Sequence, residues 1–210
     1  MIGVGCNLAC YGSVRPNYRN MTMLSELVNI VQSELDIRLT IVSCGNSANY
    51  EWVNSGQEIG AINNLRIGES ILLGCETVGR QTIPGLHTHT FQMVAEVIES
   101  KRKASLPFGE ICPNAFGDIP RFEDRGIRTR SLIALGRQDV LTAGLKSNYS
   151  LEILGSSSDH IILDSENYPL QIGDEVNFGL DYGGLLSAMT SPFVSKEFVR
   201  EEQRVLTQTI

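Results

Sequence analysis

The chain has 210 residues, and 17 lysines and arginines against 24 aspartates and glutamates give a net charge of −7 and a pI of about 5.0. Hydrophobic residues at 42% and charged residues at 20% are typical of a soluble globular protein and argue against a disordered or collagen-like chain. The acidic balance also argues against nucleic-acid binding, because phosphate neutralisation needs clustered basic residues and the only dense basic run is Lys101-Arg102-Lys103.

Two further observations bear on location and metals. No apolar stretch reaches the roughly 18 residues that a membrane span needs, and residues 1–5 do not resemble the start of a signal peptide. We therefore expect a cytoplasmic protein with no membrane partner. The five cysteines include no CxxC pair, so reduced thiols are expected. Zinc ligation by Cys6, Cys10, His87 and His89 is an alternative, but their spacing matches no common structural site, and no metal is predicted.

The first 75 residues alternate between strand-like and helical patterns. An apolar segment at 2–11 ends in a polar loop, and a β-branched run at 39–43 leads into a predicted helix at 48–54. Residues 64–69 are predicted as another strand. Between the first two strands, one helical face is formed by Leu24, Leu27, Val28, Val31 and Leu35. Alternating strands and helices predict parallel strands with helical crossovers.

After residue 85 the pattern changes to short strands separated by turn residues. Strands are predicted at 91–98, 131–135, 151–154, 160–164 and 175–180, and one short helix at 184–189. We therefore predict an α/β domain at 1–85 followed by a mostly antiparallel β domain at 86–210. Because only three β/α units precede the β domain, the first part is either a small open α/β layer or part of a larger barrel.

One candidate anion site follows the predicted strand at 39–43. Ser43-Cys-Gly-Asn-Ser47 ends this strand and opens a helix, so backbone N–H groups and the Ser47 hydroxyl can converge on a phosphate. The alternative is that Asn46 and Ser47 only cap the helix. Arg66 lies near a glycine at the next predicted strand end, where a surface ion pair is the alternative. Gly3-x-Gly5 is not a dinucleotide fingerprint, because Leu8 stands where its third glycine belongs.

The predicted β domain holds two candidate proton carriers. The segment 155–160 gathers hydroxyls, a carboxylate and the imidazole of His160, and Asp139 follows another predicted strand. A lone histidine is often structural, but His160 is the best general base in the sequence because imidazole titrates near neutral pH.

Motifs in both parts of the chain, in order along residues 2–196, together resemble the alanine/ornithine racemase family. They are Gly3-Val-Gly-Cys-Asn-Leu-Ala-Cys-Tyr-Gly12, Ser43-Cys-Gly-Asn-Ser-Ala48, Asn64-Leu-Arg-Ile-Gly-Glu-Ser-Ile-Leu-Leu-Gly74, Ala95-Glu-Val-Ile-Glu99, Asp124-Arg-Gly126, Gly136-Arg-Gln-Asp139, Ser157-Ser-Asp-His160 and Ala188-Met-Thr-Ser-Pro192. The resemblance implies a fold-type III enzyme that uses pyridoxal 5'-phosphate. It also implies a TIM-type (β/α)8 barrel followed by a β domain, in a head-to-tail homodimer whose partner completes each site.

The resemblance assigns cofactor-binding roles to residues of the first domain. Asn46 and Ser47 match the family's phosphate-loop pair, and Gly68 with Glu69 match the backbone amides that follow on the phosphate. The same resemblance extends to two residues that concern the cofactor's ring. Arg66 matches the arginine that faces the pyridine nitrogen, and Asn7 stands where most alanine racemases carry a histidine supporting that arginine.

Two features depart from the family pattern. Where alanine racemases carry a catalytic tyrosine in Gly-Tyr-x-Asp, this chain reads Gly136-Arg-Gln-Asp139, so the second base is open between Asp139 and His160. Asp159 is expected to support the site or to clamp a cationic side chain. The family's Schiff-base lysine lies on the first barrel strand, and no lysine here takes its place, since all follow residue 100. The resemblance therefore implies the C-terminal part of the barrel, without its N-terminal half.

The expected activity of the full-length protein is racemisation of a small amino acid by two-base proton transfer at Cα. Ornithine or another basic amino acid is the preferred substrate over alanine, because acidic residues cluster in the β-domain motifs and the match is closer to the ornithine branch. One alternative is a decarboxylase of the same fold. Another is a non-catalytic fragment, or a half that complements another chain, because the Schiff-base lysine has no counterpart here.

Overall fold

The structure is a computed structural model that describes residues 1–199 and divides the chain into two compact units. The first unit is Met1–Thr90 and the second begins at Phe91. The sequence analysis placed the domain boundary between residues 85 and 86. Residues 200–210, at the end of the predicted β domain, lie outside the described residues.

Short parallel strands and helices alternate in the first unit. The strands β1 and β2 pair in parallel, and Ser43 adds a parallel bridge to Asn64. This order confirms the predicted crossovers. The elements are β1 (Gly3–Gly5), α1 (Tyr18–Leu35), β2 (Ile41–Ser43), a 3-10 turn (Ser47–Asn49), α2 (Tyr50–Val53) and α3 (Glu69–Leu73).

The predicted third strand at 64–69 is shorter than its sequence pattern suggested. Only Asn64 forms a strand-like bridge, and α3 already begins at Glu69. The backbone N–H groups of Gly68 and Ser70 donate to the Ser47 hydroxyl instead of to a neighbouring strand. Backbone pairing therefore continues only as far as Arg66, whose N–H donates to the Gly45 carbonyl, and the Ser47 side chain is the next acceptor.

Helix α1 begins at a capping box and packs one apolar face into the core. The Asn17 side chain accepts from the N–H of Asn20, whose side chain accepts in return from the Asn17 N–H, which forms a capping box. The first unit's core is Met21, Leu24, Val28, Leu39, Val42, Cys44, Trp52 and Ile62.

The apolar face predicted for α1 is only partly buried. Leu24 and Val28 are buried in the core, whereas Leu27 and Leu35 are 51% and 56% exposed. Periodicity identified the helix, but it could not separate the buried arc from its exposed flank.

The second unit is a six-stranded antiparallel sheet in the order β5-β8-β3-β4-β7-β6. The five predicted strands and the short helix near 184–189 are present, although the strand predicted at 131–135 lies at Ile127–Ile133. The strand Leu145–Ser147 was not predicted. The elements are β3 (Gln92–Ala104), β4 (Ile127–Ile133), a 3-10 turn (Thr142–Gly144), β5 (Leu145–Ser147), β6 (Glu152–Ser156), β7 (Ile161–Asp164), β8 (Glu175–Leu180) and α4 (Tyr182–Thr190). Among residues 1–199, no helix is long and apolar enough to cross a membrane.

One charged pair links two strands of this sheet. Arg128 on β4 makes two hydrogen bonds of 2.9 and 3.0 Å to the carboxylate of Asp164 on β7, whose side chain is 7% exposed. These hydrogen bonds hold the pKa of Asp164 below its usual value. Since the carboxylate is buried and ionised, removing its charge leaves Arg128 without its partner.

We expect Asp164→Asn to lower the free energy of unfolding by about 2 kcal/mol at neutral pH, measured by urea denaturation. Because the folded-state pKa is lowered, the stabilisation exists above the unfolded pKa of about 4 and disappears as the pH falls through the folded value. The deficit should therefore shrink in acid. The control is Glu152→Gln on β6, which removes an exposed partner of Arg125. It should lower the free energy of unfolding by less than about 1 kcal/mol. Equal losses in the two variants would contradict this account.

Candidate functional site

Three segments of the first unit meet where its parallel strands end, and Arg66 joins them. Its guanidinium donates through Nη1 to the Ser43 hydroxyl and through Nη2 to the Cys6 carbonyl, at 2.9 Å in the second case. Its backbone N–H donates to the Gly45 carbonyl at 2.9 Å. The alternative of a surface ion pair does not describe Arg66, because the described residues give it no carboxylate partner. Its guanidinium is hydrogen-bonded to neutral oxygens instead.

Asn46 caps the turn that follows β2 and also contacts the loop that follows β1. Its side-chain oxygen accepts from the Ala48 N–H at 2.8 Å and caps the 3-10 turn. Its amide nitrogen donates to Asn7 Oδ1 at 2.7 Å and to the Leu8 carbonyl at 3.1 Å. The structure thus brings Asn7 to Asn46, and within the described residues no hydrogen bond joins Asn7 to Arg66.

Ser47 connects this loop to the start of α3. The residue is 3% exposed, and its hydroxyl accepts from the N–H groups of Gly68 at 3.2 Å and Ser70 at 3.1 Å. Because both bonds use lone pairs, the hydroxyl proton remains for donation. A Cβ added at Gly68 would meet nothing within 4 Å, so the backbone there is open on one side. Hydroxyl, amide and guanidinium donors therefore share one end of the small sheet.

Two thiols lie beneath this loop. Cys6 Sγ donates to the Cys44 carbonyl at 3.2 Å, and Cys44 is fully buried. Burial raises the pKa of both thiols, so they are neutral at physiological pH. Among residues 1–199, no group of three or more histidine, cysteine, aspartate or glutamate side chains is placed to hold a metal ion.

The predicted proton carriers lie in the second unit, in two loops that dock on each other. Asp139 is buried, and its carboxylate accepts from the Gly136 N–H at 2.7 Å, which closes a tight turn. Arg137 N–H donates to the Ser157 carbonyl at 3.0 Å. A Cβ at Gly136 would lie 2.3 Å from the backbone nitrogen of Asp159, so this close approach requires glycine.

His160 is more accessible than Asp139. Its Nδ1 lies 3.0 Å from Asp159 Oδ1, and its side chain is 42% exposed. Hydrogen bonds from the Ser157 and Ser158 hydroxyls, the first being the larger effect, lower the pKa of Asp159. An ionised carboxylate therefore orients the exposed imidazole.

Sequence reasoning missed the contact between Phe116 and Arg137. The guanidinium carbon of Arg137 lies 3.6 Å from the ring centroid of Phe116, and its Nε donates to Ser156 Oγ at 3.2 Å. No periodicity marks the loop that contains Phe116, so only the fold could show this pairing.

Known proteins resemble this chain over most of its length. No family profile matches it. It is 40% identical to an ornithine racemase of Acetoanaerobium sticklandii over 200 residues, which cover 94% of this chain and 57% of the relative. It is 38% identical to a lysine racemase of Thermotoga maritima, with 94% and 56% of the two chains covered. The chain therefore spans just over half the length of these curated relatives.

Solved structures show a similar fold. An alanine racemase from Bartonella henselae with covalently bound pyridoxal phosphate superposes with a TM-score of 0.55 at 19% identity, covering 92% of this chain and 52% of that one. The predicted fold class, part of a TIM-type α/β barrel followed by a mostly antiparallel β domain, is confirmed.

Over nearly its whole length the chain is thus similar to about half of two amino-acid racemases, and it shares its fold with an alanine racemase. These relatives confirm the resemblance to the alanine/ornithine racemase family that the sequence motifs indicated.

We expect Ser47→Ala to lower the free energy of unfolding by about 1 to 3 kcal/mol, because the N–H groups of Gly68 and Ser70 lose their acceptor. Thermal or urea denaturation measures this loss. Ser70→Ala is the matched control, since Ser70 is equally buried and its hydroxyl has no partner among the described residues. This control should be neutral or stabilising, and a larger loss in it than in Ser47→Ala would contradict the assignment.

Proposed function

We propose that the protein containing this chain is a cytoplasmic, pyridoxal 5'-phosphate-dependent racemase that interconverts the L and D forms of a basic amino acid such as ornithine. The observation that carries the proposal is the convergence of Asn46, Ser47 and Arg66 at the strand ends, in a chain 40% identical to an ornithine racemase. The family resemblance further supports a homodimer with shared sites.

The residues present fit the cofactor. Its phosphate is an anion, and the loop offers the Ser47 hydroxyl and the open backbone at Gly68. Glu69, the nearest carboxylate in sequence, is paired with Arg80. We propose that Asn46, Ser47, Gly68 and Glu69 form the phosphate site. Ser47 would donate its hydroxyl and Glu69 its backbone N–H, and the Gly68 N–H orients the Ser47 hydroxyl.

Arg66 is suited to donate a hydrogen bond to the pyridine nitrogen of the cofactor. Its guanidinium is fixed by Ser43 and Cys6 and keeps its proton at any physiological pH, so it donates a hydrogen bond without transferring the proton. We propose that Asn7 supports this arrangement through Asn46. The bound cofactor would act as an electron sink for the substrate's Cα, and a ring without a transferred proton is a weaker sink, which favours racemisation over side reactions.

Racemisation needs a proton carrier on each face of Cα. We propose that His160 is one of them and acts in the partner's site of a head-to-tail homodimer, because it is exposed and oriented by Asp159. Asp139 is less suited, since its carboxylate is buried and bonded to the Gly136 N–H. The first 100 residues contain no lysine, so the second carrier of the family pattern has no counterpart in this chain.

The substrate proposal rests on charge. Asp159 is an exposed carboxylate with a lowered pKa, so it can pair with the distal ammonium of ornithine or lysine. The relatives are named for those two substrates. A basic amino acid is therefore preferred over alanine.

The racemase proposal is tested with the full-length protein, pyridoxal 5'-phosphate and L-ornithine. We expect D-ornithine to accumulate to an equal mixture, measured by chiral chromatography, with no release of carbon dioxide. Carbon dioxide release without D-ornithine would support the decarboxylase alternative. Absence of both would support a non-catalytic chain, and activity that appears only on adding a separate barrel half would support complementation.

The two candidate proton carriers are separated by conservative substitutions. We expect His160→Gln to lower kcat by about 100-fold or more with little change in KM, because a general acid–base contributes roughly 10² to 10⁴. Asp139→Asn keeps an oxygen acceptor for the Gly136 N–H and should lower kcat by less than about threefold. The reverse order of effects would contradict the assignment of His160.

A further inference from the structure

We propose that Arg80 is a positioning residue that neutralises Glu69 and so permits an anionic phosphate to bind beside it. This inference rests on the proposed phosphate site of the first unit. Glu69 lies between Gly68 and Ser70, whose N–H groups both contact the Ser47 hydroxyl. The backbone of Glu69 therefore lies at the loop that would receive the phosphate, which brings a carboxylate side chain to the edge of that site.

An ionised carboxylate in this position opposes anion binding. Like charges within a few ångströms repel strongly where solvent screening is incomplete, and the Glu69 side chain is only 15% exposed. The Arg80 guanidinium forms an ion pair with this carboxylate. The pair has no net charge, so the cost of placing a phosphate next to Glu69 is removed.

The loop that carries Arg80 is built around a buried carboxylate. Glu76 is 3% exposed, and both of its carboxylate oxygens accept hydrogen bonds from backbone N–H groups of the same loop. These bonds come from Val78 at 2.7 Å, Gly79 at 2.9 Å and Gln81 at 2.8 Å. Burial alone would raise the pKa of Glu76, but these bonds outweigh it and the pKa is lowered. The carboxylate therefore stays ionised and fixes the backbone on both sides of Arg80.

The backbone of Arg80 is strained. Its φ of +60° is in the left-handed region that residues with a Cβ disfavour. Because glycine would adopt this φ without strain, the arginine side chain is the feature of this position that needs a reason. By contrast, Arg15 and Glu51 form an ion pair in which both side chains are exposed to solvent.

Arg80→Gly tests the proposal, because it removes the charge and relieves the positive φ at once. We expect the melting temperature to be unchanged or higher. Affinity of the cofactor-free full-length protein for pyridoxal 5'-phosphate, measured by equilibrium titration, should fall by about three- to tenfold. Affinity for pyridoxal, which lacks the phosphate, should be unchanged. Arg15→Gln, which breaks the exposed pair, should bind both compounds as the unaltered protein does.

Adding Glu69→Gln to Arg80→Gly should restore the affinity for pyridoxal 5'-phosphate to within about twofold, because the unpaired charge is gone. Unchanged affinity in Arg80→Gly, or an equal loss for pyridoxal, would overturn the proposal. A loss that Glu69→Gln fails to restore would overturn it as well. Failure of the proposed phosphate site itself is distinguishable, since the unaltered protein would then bind pyridoxal 5'-phosphate no better than pyridoxal.

Discussion

The hydrogen bonds of Arg66 hold together the part of the chain on which the proposed chemistry depends. β1 and β2 are three residues each, too short to fix the geometry of the loops that follow them. The guanidinium bonds to Ser43 and Cys6, and the backbone N–H bonds to Gly45. The guanidinium thus fixes the ends of β1 and β2 relative to each other, and the backbone N–H joins Arg66 to the loop after β2. Because its acceptors are neutral, the full positive charge remains available for a ligand.

The second unit achieves order in its loops by a different means. The turn at Gly136 is closed by the buried Asp139 carboxylate and lies against the backbone of Asp159. His160 follows on the docked loop, and its orientation by Asp159 depends on this close packing. One loop follows β4 and the other joins β6 to β7, so both are anchored to the antiparallel sheet. Side chains anchored to a sheet are held more accurately than side chains on free loops.

The sequence predicted the strand and helix order because apolar periodicity and turn residues are local signals. It also identified Asn46 and Ser47, since a polar loop between a strand and a helix is recognisable as an anion site or a cap. It did not reveal that Asn7 contacts Asn46, or that Arg80 pairs with Glu69, because these contacts depend on how separate loops meet. The third strand ended early for the same reason: beyond Arg66, the Gly68 N–H donates to the Ser47 hydroxyl instead of to a strand carbonyl.

The central claim is that the strand ends of the first unit bind the phosphate of pyridoxal 5'-phosphate. Phosphorus-31 NMR of the cofactor bound to the full-length protein tests this most directly. A phosphate enclosed by hydroxyl and amide donors should stay doubly ionised, so its chemical shift should not change between about pH 5 and 8, although a free phosphate monoester titrates near pH 6. A bound signal that titrates as the free compound does would contradict the account.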